Sequence, residues 1–205
     1  MTRTNLESIE VTNDCVVTPA FFLNDVVKID TSATGGRCLI VAETHHYSGG
    51  PHCPMVDYVL VRNPLGTPPM RLRVLPGHGG KRKVTARLLV LTLYDSLSFN
   101  EGLLAVVQYD TKKLVIDDDA EPGKHAHDEF CRVNDMDGSH VVGVDVHTGD
   151  EESKKATVEF WDYSRLTDVD GVETEEFIFV EMNKASGWFE IWHGIEVAPG
   201  KIAVV

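Results

Sequence analysis

Glu175-Glu176-Phe177-Ile178-Phe179-Val180-Glu181-Met182, followed after a short turn by Gly187-Trp188-Phe189-Glu190-Ile191-Trp192, decides the fold class. Phe177 to Val180 are apolar at consecutive positions, which suits a central strand covered on both faces. The second run alternates: Trp188, Glu190 and Trp192 share one face, Phe189 and Ile191 the other. A period of two with aromatic and β-branched content marks strand rather than helix. Met70-Arg71-Leu72-Arg73-Val74 alternates in the same way and predicts one wet and one dry face.

Working outward, the same criteria predict strands over 26–30, 38–44, 56–62, 70–75, 84–94, 103–109, 113–116, 130–134, 140–147, 157–163, 176–182, 188–193 and 202–205. A helix could be argued only over 86–97, where Val, Thr and Tyr favour strand. The expected fold is mainly β: antiparallel meanders in one or two packed sheets or partly open barrels. An internal echo suggests a pseudo-duplicated pair. Val41-Ala42-Glu43, Tyr47-Ser48, 56–61 and 70–74 run parallel to Thr157-Val158-Glu159, Tyr163-Ser164, 175–180 and 189–192. Duplication would give two related faces; against it, all meanders share alternation.

Charge divides the chain. Residues 1–110 hold 10 Lys+Arg and 10 Asp+Glu, and residues 111–205 hold 9 and 22, so the net charge of −13 belongs to the second part. This suggests a loose polar arm over 1–15, a near-neutral β-rich half over 16–110 and an acidic β-rich half over 111–205, as two domains or one continuous one. An acidic surface repels phosphate backbones and anionic membranes, which argues against nucleic acid. No apolar run approaches the roughly 20 residues that span a bilayer, so membrane insertion is not expected. The N-terminus lacks a basic start and an apolar core, so no secretory signal is read. Cys15, Cys38, Cys53 and Cys131 are scattered, which fits free thiols in a reducing cytoplasm.

Motifs with a chemical reading are few. Asp135-Met-Asp137-Gly138 and Asp168-Val-Asp170-Gly171 lack the acid and Glu spacing of an EF-hand and read as hairpin turns. The Gly-rich basic run 76–83 lacks the Walker spacing; it reads as a solvated turn, or as a patch that docks on an acidic surface. His125 and His127, with His52 and Cys53, are the residues that could hold a metal, although no spacing matches a zinc module; the expectation is no metal and no cofactor. Neither a nucleophile elbow nor a zincin helix is present, and no catalytic residue is assigned.

The tryptophans carry the binding prediction. Trp161, Trp188 and Trp192 all lie in the acidic half. Glu159, Trp161 and Tyr163 would share a face of one strand, and Trp188, Glu190 and Trp192 a face of another. Were the two faces joined, aromatics and carboxylates would meet, and could hold a cation or a protein partner. The alternative is ordinary core packing with glutamates at the rim.

The tail 176–182, then Gly187-Trp-Phe-Glu-Ile-Trp192, then Gly194-Ile-Glu-Val197 and Ile202-Ala-Val204, resembles the YjfK-like bacterial proteins. So do Asp25-Val-Val-Lys-Ile-Asp30, Phe130-Cys-Arg-Val133 and Tyr163-Ser-Arg165. The resemblance covers nearly the whole chain and brings no catalytic residue. It implies a cytosolic accessory role linked to envelope stress. The expected function is therefore a non-enzymatic bacterial interaction protein. Its acidic aromatic face would bind a basic protein partner or a cationic ligand, with homo-oligomers allowed. The rival functions are a small metal-dependent enzyme using the histidine loops and a β-barrel small-molecule binding protein.

Overall fold

The computed structural model describes residues 21–31, 34–49, 55–62, 69–75, 86–109, 113–116, 128–133, 140–148, 154–169 and 172–205. The arm 1–15, His52, Cys53, His125, His127, the run 76–83 and both Asp-Gly dipeptides, 137–138 and 170–171, lie outside the described residues.

Among the described residues, twelve strands and one α-helix follow in chain order: β1 (Val26–Ile29), β2 (Cys38–Ser48), β3 (Met55–Val61), β4 (Met70–Leu75), β5 (Arg87–Leu97), α1 (Glu101–Tyr109), β6 (Lys113–Ile116), β7 (Asp128–Arg132), β8 (His140–Thr148), β9 (Lys154–Val169), β10 (Val172–Asn183), β11 (Phe189–Glu196) and β12 (Ile202–Val204), with a 3-10 turn over Pro199–Lys201 before the last strand. All pairings are antiparallel, in the order β12-β1-β2-β3-β4-β5-β11-β10-β9-β7-β6, while β8 pairs with both β2 and β9. That last strand closes a barrel of eight: β2-β3-β4-β5-β11-β10-β9-β8. Closure satisfies strand edges that would otherwise be exposed.

Two long strands make the closure. The first residues of β2 pair with β1 and its last six, Glu43 to Ser48, with β8. In β9, Lys154 to Phe160 pair with β8, and Tyr163 and Ser164 with β7. The side sheets β1–β12 and β7–β6 therefore branch where β2 and β9 leave the barrel wall. Each charge-defined half supplies four strands to the barrel, which is joined at β2–β8 and β5–β11. Val169 of β9 pairs in register with Val172 of β10.

Three cores result. The barrel interior holds Tyr47, Met55, Leu89, Leu91, Val142, Phe160, Phe177, Phe179 and Trp192, from all the barrel strands but β4, which adds Leu75. A second core, including Val41, Tyr58, Leu72, Val74 and Leu88, lies on the other face of β2 to β5 with β1 and β12. A third packs Trp161, Tyr163, Ile178, Val180 and Phe189 against Val107 of α1, Leu114 and Phe130. Phe177 and Phe179 thus face inward and Ile178 and Val180 outward, as a central strand covered on both faces requires. At Gly194 of β11 a Cβ would stand 2.6 Å from Leu91 Cδ2 and 3.3 Å from Phe179 Cε2, so glycine is what lets the interior side chains meet there.

Two expectations are corrected. Residues 103–109 are not a strand but most of α1. Leu103, Leu104 and Val107 recur at helical spacing against the outer core. Asn100 caps the helix through its Oδ1, which accepts from the Leu103 amide at 2.9 Å. The β-branched pair Val106-Val107 masked this signal. The predicted wet face of 70–74 is also absent. Arg71 and Arg73 are 7% and 0% exposed, because the face opposite Leu72 and Val74 is the barrel interior.

Candidate functional site

The barrel interior divides along its length. Its deeper layers are aromatic and aliphatic, whereas toward one end β2, β3, β4, β10 and β11 direct charged and polar side chains inward. Arg71 and Arg73 are two apart on β4, and Asp57 faces Arg73 in register on β3. Glu181 on β10 and Glu190 on β11 form a register pair opposite them.

The guanidiniums bridge these carboxylates. Arg73 donates from Nε to Asp57 Oδ1 and from Nη2 to Asp57 Oδ2, both at 2.8 Å. Its Nη2 also meets Glu181 Oε1 at 2.5 Å. Arg71 donates from Nη1 to Glu181 Oε2 at 2.7 Å and from Nη2 to Glu190 Oε2 at 2.6 Å. Tyr47 donates its hydroxyl to Asp57 Oδ2 at 3.0 Å. The guanidiniums also stack: Arg71 lies 3.9 Å from the Trp192 ring centre and Arg73 4.5 Å from that of Phe179. Trp192 Nε1 donates to Glu190 Oε2 at 3.1 Å. A bidentate fork with aromatic faces on either side is what arginine, unlike lysine, can fill.

Burial alone would neutralise these groups. It raises the pKa of Asp57 and of Glu181, but Arg73 and Arg71 outweigh it and hold both carboxyls below their ordinary values. Burial lowers the two arginines, and their carboxylate neighbours more than reverse this. Burial raises the Tyr47 phenol well above its ordinary value, so it stays protonated as a donor. The charges of Asp57, Glu181, Arg71 and Arg73 are therefore all present at neutral pH. Arg73 Nη1 is buried without a hydrogen-bond partner.

Above this network lies a cavity of about 340 Å³. One wall is aliphatic: Val144 and Val146 of β8, Ala156 and Val158 of β9. The facing wall is polar: Arg71, Glu181, Glu190, His45 and Tyr47. His45 Nε2 lies 2.9 Å from Glu43 Oε2. The lip is the β10–β11 turn, with Ser186 and Trp188. Asn183 Oδ1 locks that turn by accepting from the amides of Ala185 and Ser186, and Gly187 adopts φ +68° against the Phe99 ring. Trp188 Nε1 donates to Ser96 Oγ at 2.6 Å, which fixes the indole while leaving Trp188 46% exposed.

The six residues named from the sequence fall in two places. Trp188 and Glu190 line the cavity, and Trp192 lies under Arg71 on the same strand face. Trp161 and Tyr163 point to the other side of the wall and are sealed in the outer core at 0% exposure. Glu159, on their face of β9, pairs with Lys184 at 2.5 Å. The wall between β9 and β11 therefore separates the two aromatic faces. The internal echo behaves likewise: Tyr47 lies in the barrel and its counterpart Tyr163 outside it. Sequence reasoning missed Asp57, Arg71, Arg73 and Glu181. The available signal was two arginines at alternate positions of a strand whose other face is apolar.

Among the described residues no group of three or more His, Cys, Asp or Glu could hold a metal ion. Cys38 and Cys131 are free and exposed. Among the described residues no helix is long and apolar enough to cross a membrane. Comparison with protein-family models, with curated proteins and with solved structures finds no match. The site is therefore read from its own chemistry.

Proposed function

We propose that the protein is a small-molecule binding protein that takes an amphipathic ligand into the open end of its barrel. The observation that carries this reading is the two-sided cavity of about 340 Å³, aliphatic on β8 and β9 and charged on β4, β10 and β11. Ligand cavities span roughly 300–1,000 Å³, which puts this one at the small end. An apolar body would lie along Val144, Val146, Ala156 and Val158, and a polar head would meet Arg71, Glu181 and Glu190. The network beneath is anchored on both sides of the barrel, so the polar wall is organised before a ligand arrives, which lowers the ordering cost of binding.

A basic protein partner docked on an acidic aromatic surface has less support. Of the three tryptophans, only Trp188 is exposed.

Thermal unfolding with 1-octylamine, octanoate or 1-octanol tests the binding reading. A ligand that binds only the folded protein raises Tm in proportion to occupancy. At least one probe should raise Tm, and Ala156→Trp, which fills the cavity, should remove the rise while keeping the β-sheet circular dichroism. If no probe shifts Tm, or the variant responds like the parent, the reading is wrong.

A further inference from the structure

We infer that the head group selected by this cavity is a cation, an amine or quaternary ammonium, held by Glu190 beside the Trp188 indole. The inference rests on the small-molecule reading above and adds its charge class.

The charge inventory points this way. Three carboxylates, Asp57, Glu181 and Glu190, face two guanidiniums, Arg71 and Arg73, so the network carries one uncompensated negative charge. That charge can be located. Both oxygens of Asp57 and both of Glu181 accept from the arginines. Glu190 is bound through Oε2 alone, to Arg71 and Trp192, and its Oε1 accepts no hydrogen bond from the described residues. Its side chain is also the most exposed of the three, at 37% against 0% for Asp57 and 7% for Glu181. The surplus charge, the free acceptor and the access to the cavity thus coincide on one residue.

An anionic head is disfavoured by the same geometry. Both terminal nitrogens of Arg71 are engaged, so a ligand carboxylate would have to displace Glu190 or join a network already short of positive charge. Arg73 Nη1, the guanidinium nitrogen buried without a partner among the described residues, belongs to a residue that does not line the cavity. A water can satisfy it; a ligand head at the mouth cannot. An ammonium seated at Glu190 Oε1 would complete the charge balance in a partly desolvated site, where an ion pair is stronger than in water. Trp188, two residues before Glu190 at the cavity lip, offers an indole face to that cation. The Trp192 face is already covered by Arg71.

The test is a matched calorimetric titration with 1-octylamine, 1-octanol and octanoate at pH 7. The amine should bind at least about tenfold tighter than octanoate, with the alcohol between them. Glu190→Gln keeps a carbonyl acceptor for Arg71 and Trp192 and should bring amine and alcohol to within about twofold. Ser186→Lys, on the exposed lip, supplies a competing ammonium and should weaken the amine with little effect on the alcohol. If octanoate binds as tightly as the amine, or Glu190→Gln retains the preference, the charge assignment is overturned while the cavity reading stands. If none of the three binds, both fall.

Discussion

Arg73 is the residue on which the interior depends. Buried at 0%, it ties Asp57 to Glu181. Removing one member of a buried ion network leaves an uncompensated charge and costs about 3–5 kcal/mol, more than the paired network contributes relative to apolar residues. Arg73→Met should therefore lower the unfolding free energy by about that much in urea titrations. Adding Asp57→Leu should cost less than the sum of the two single changes. An additive double variant would mean that the pair does not act as a unit. The same carboxylates set the acid response. Asp57 and Glu181 have folded-state pKa values below their ordinary 3.8 and 4.5, so the unfolded chain takes up their protons first. Their stabilisation is present in full above those ordinary values and is lost as pH falls through the depressed ones. His46, on the outer side of β2, adds an earlier phase. Partial burial and then His147, whose ring lies edge-on at 4.9 Å, lower its pKa, against Asp145. The unfolded state is again protonated first, so stability begins to fall as pH drops through His46's ordinary 6.5. Tm measured from pH 8 to 3 should decline in two stages, and His46→Asn should remove the upper one only.

At the scale of elements, local pattern and long-range geometry made different things legible. Phe177 to Val180 announced a strand covered on both faces because their apolar run is itself the consequence of two cores. Helix α1 was illegible as such: nine residues with two adjacent valines resemble a strand until Asn100 is seen as its cap. Asn100→Ala should cost about 1 kcal/mol, read by urea unfolding, and a neutral result would show that packing on Val107 alone holds the helix. The grouping of Trp188, Glu190 and Trp192 on one face was legible from alternation. Their separation from Trp161 and Tyr163 was not, because a strand pattern gives two faces but not which one becomes the inside of a barrel. Arg71 and Arg73 read as solvated for the same reason. Gly194 likewise carries no local signal. Its need for glycine comes from Leu91 and Phe179 on neighbouring strands, and Gly194→Ala should destabilise by about 1–3 kcal/mol through overpacking.

At the scale of the molecule, the near-neutral and acidic halves each form one side of a shared barrel and meet at two seams, β2–β8 and β5–β11. Strands from residues before and after 110 close one wall, so the cation-bearing β4 faces the carboxylate-bearing β10 and β11 across the interior. That arrangement uses the charge asymmetry inside the barrel. It leaves the mouth with one exposed indole at its lip and an aliphatic wall opposite an ion network. A methyl-resolved NMR titration with 1-octylamine tests this most directly. Saturable shifts are expected on Ala156 and on Val144, Val146 and Val158, with the Trp188 indole NH moving in step and the Trp161 indole unmoved. Shifts spread over the outer strands, or none at the four aliphatic residues while Trp188 alone responds, would contradict a ligand held inside the barrel.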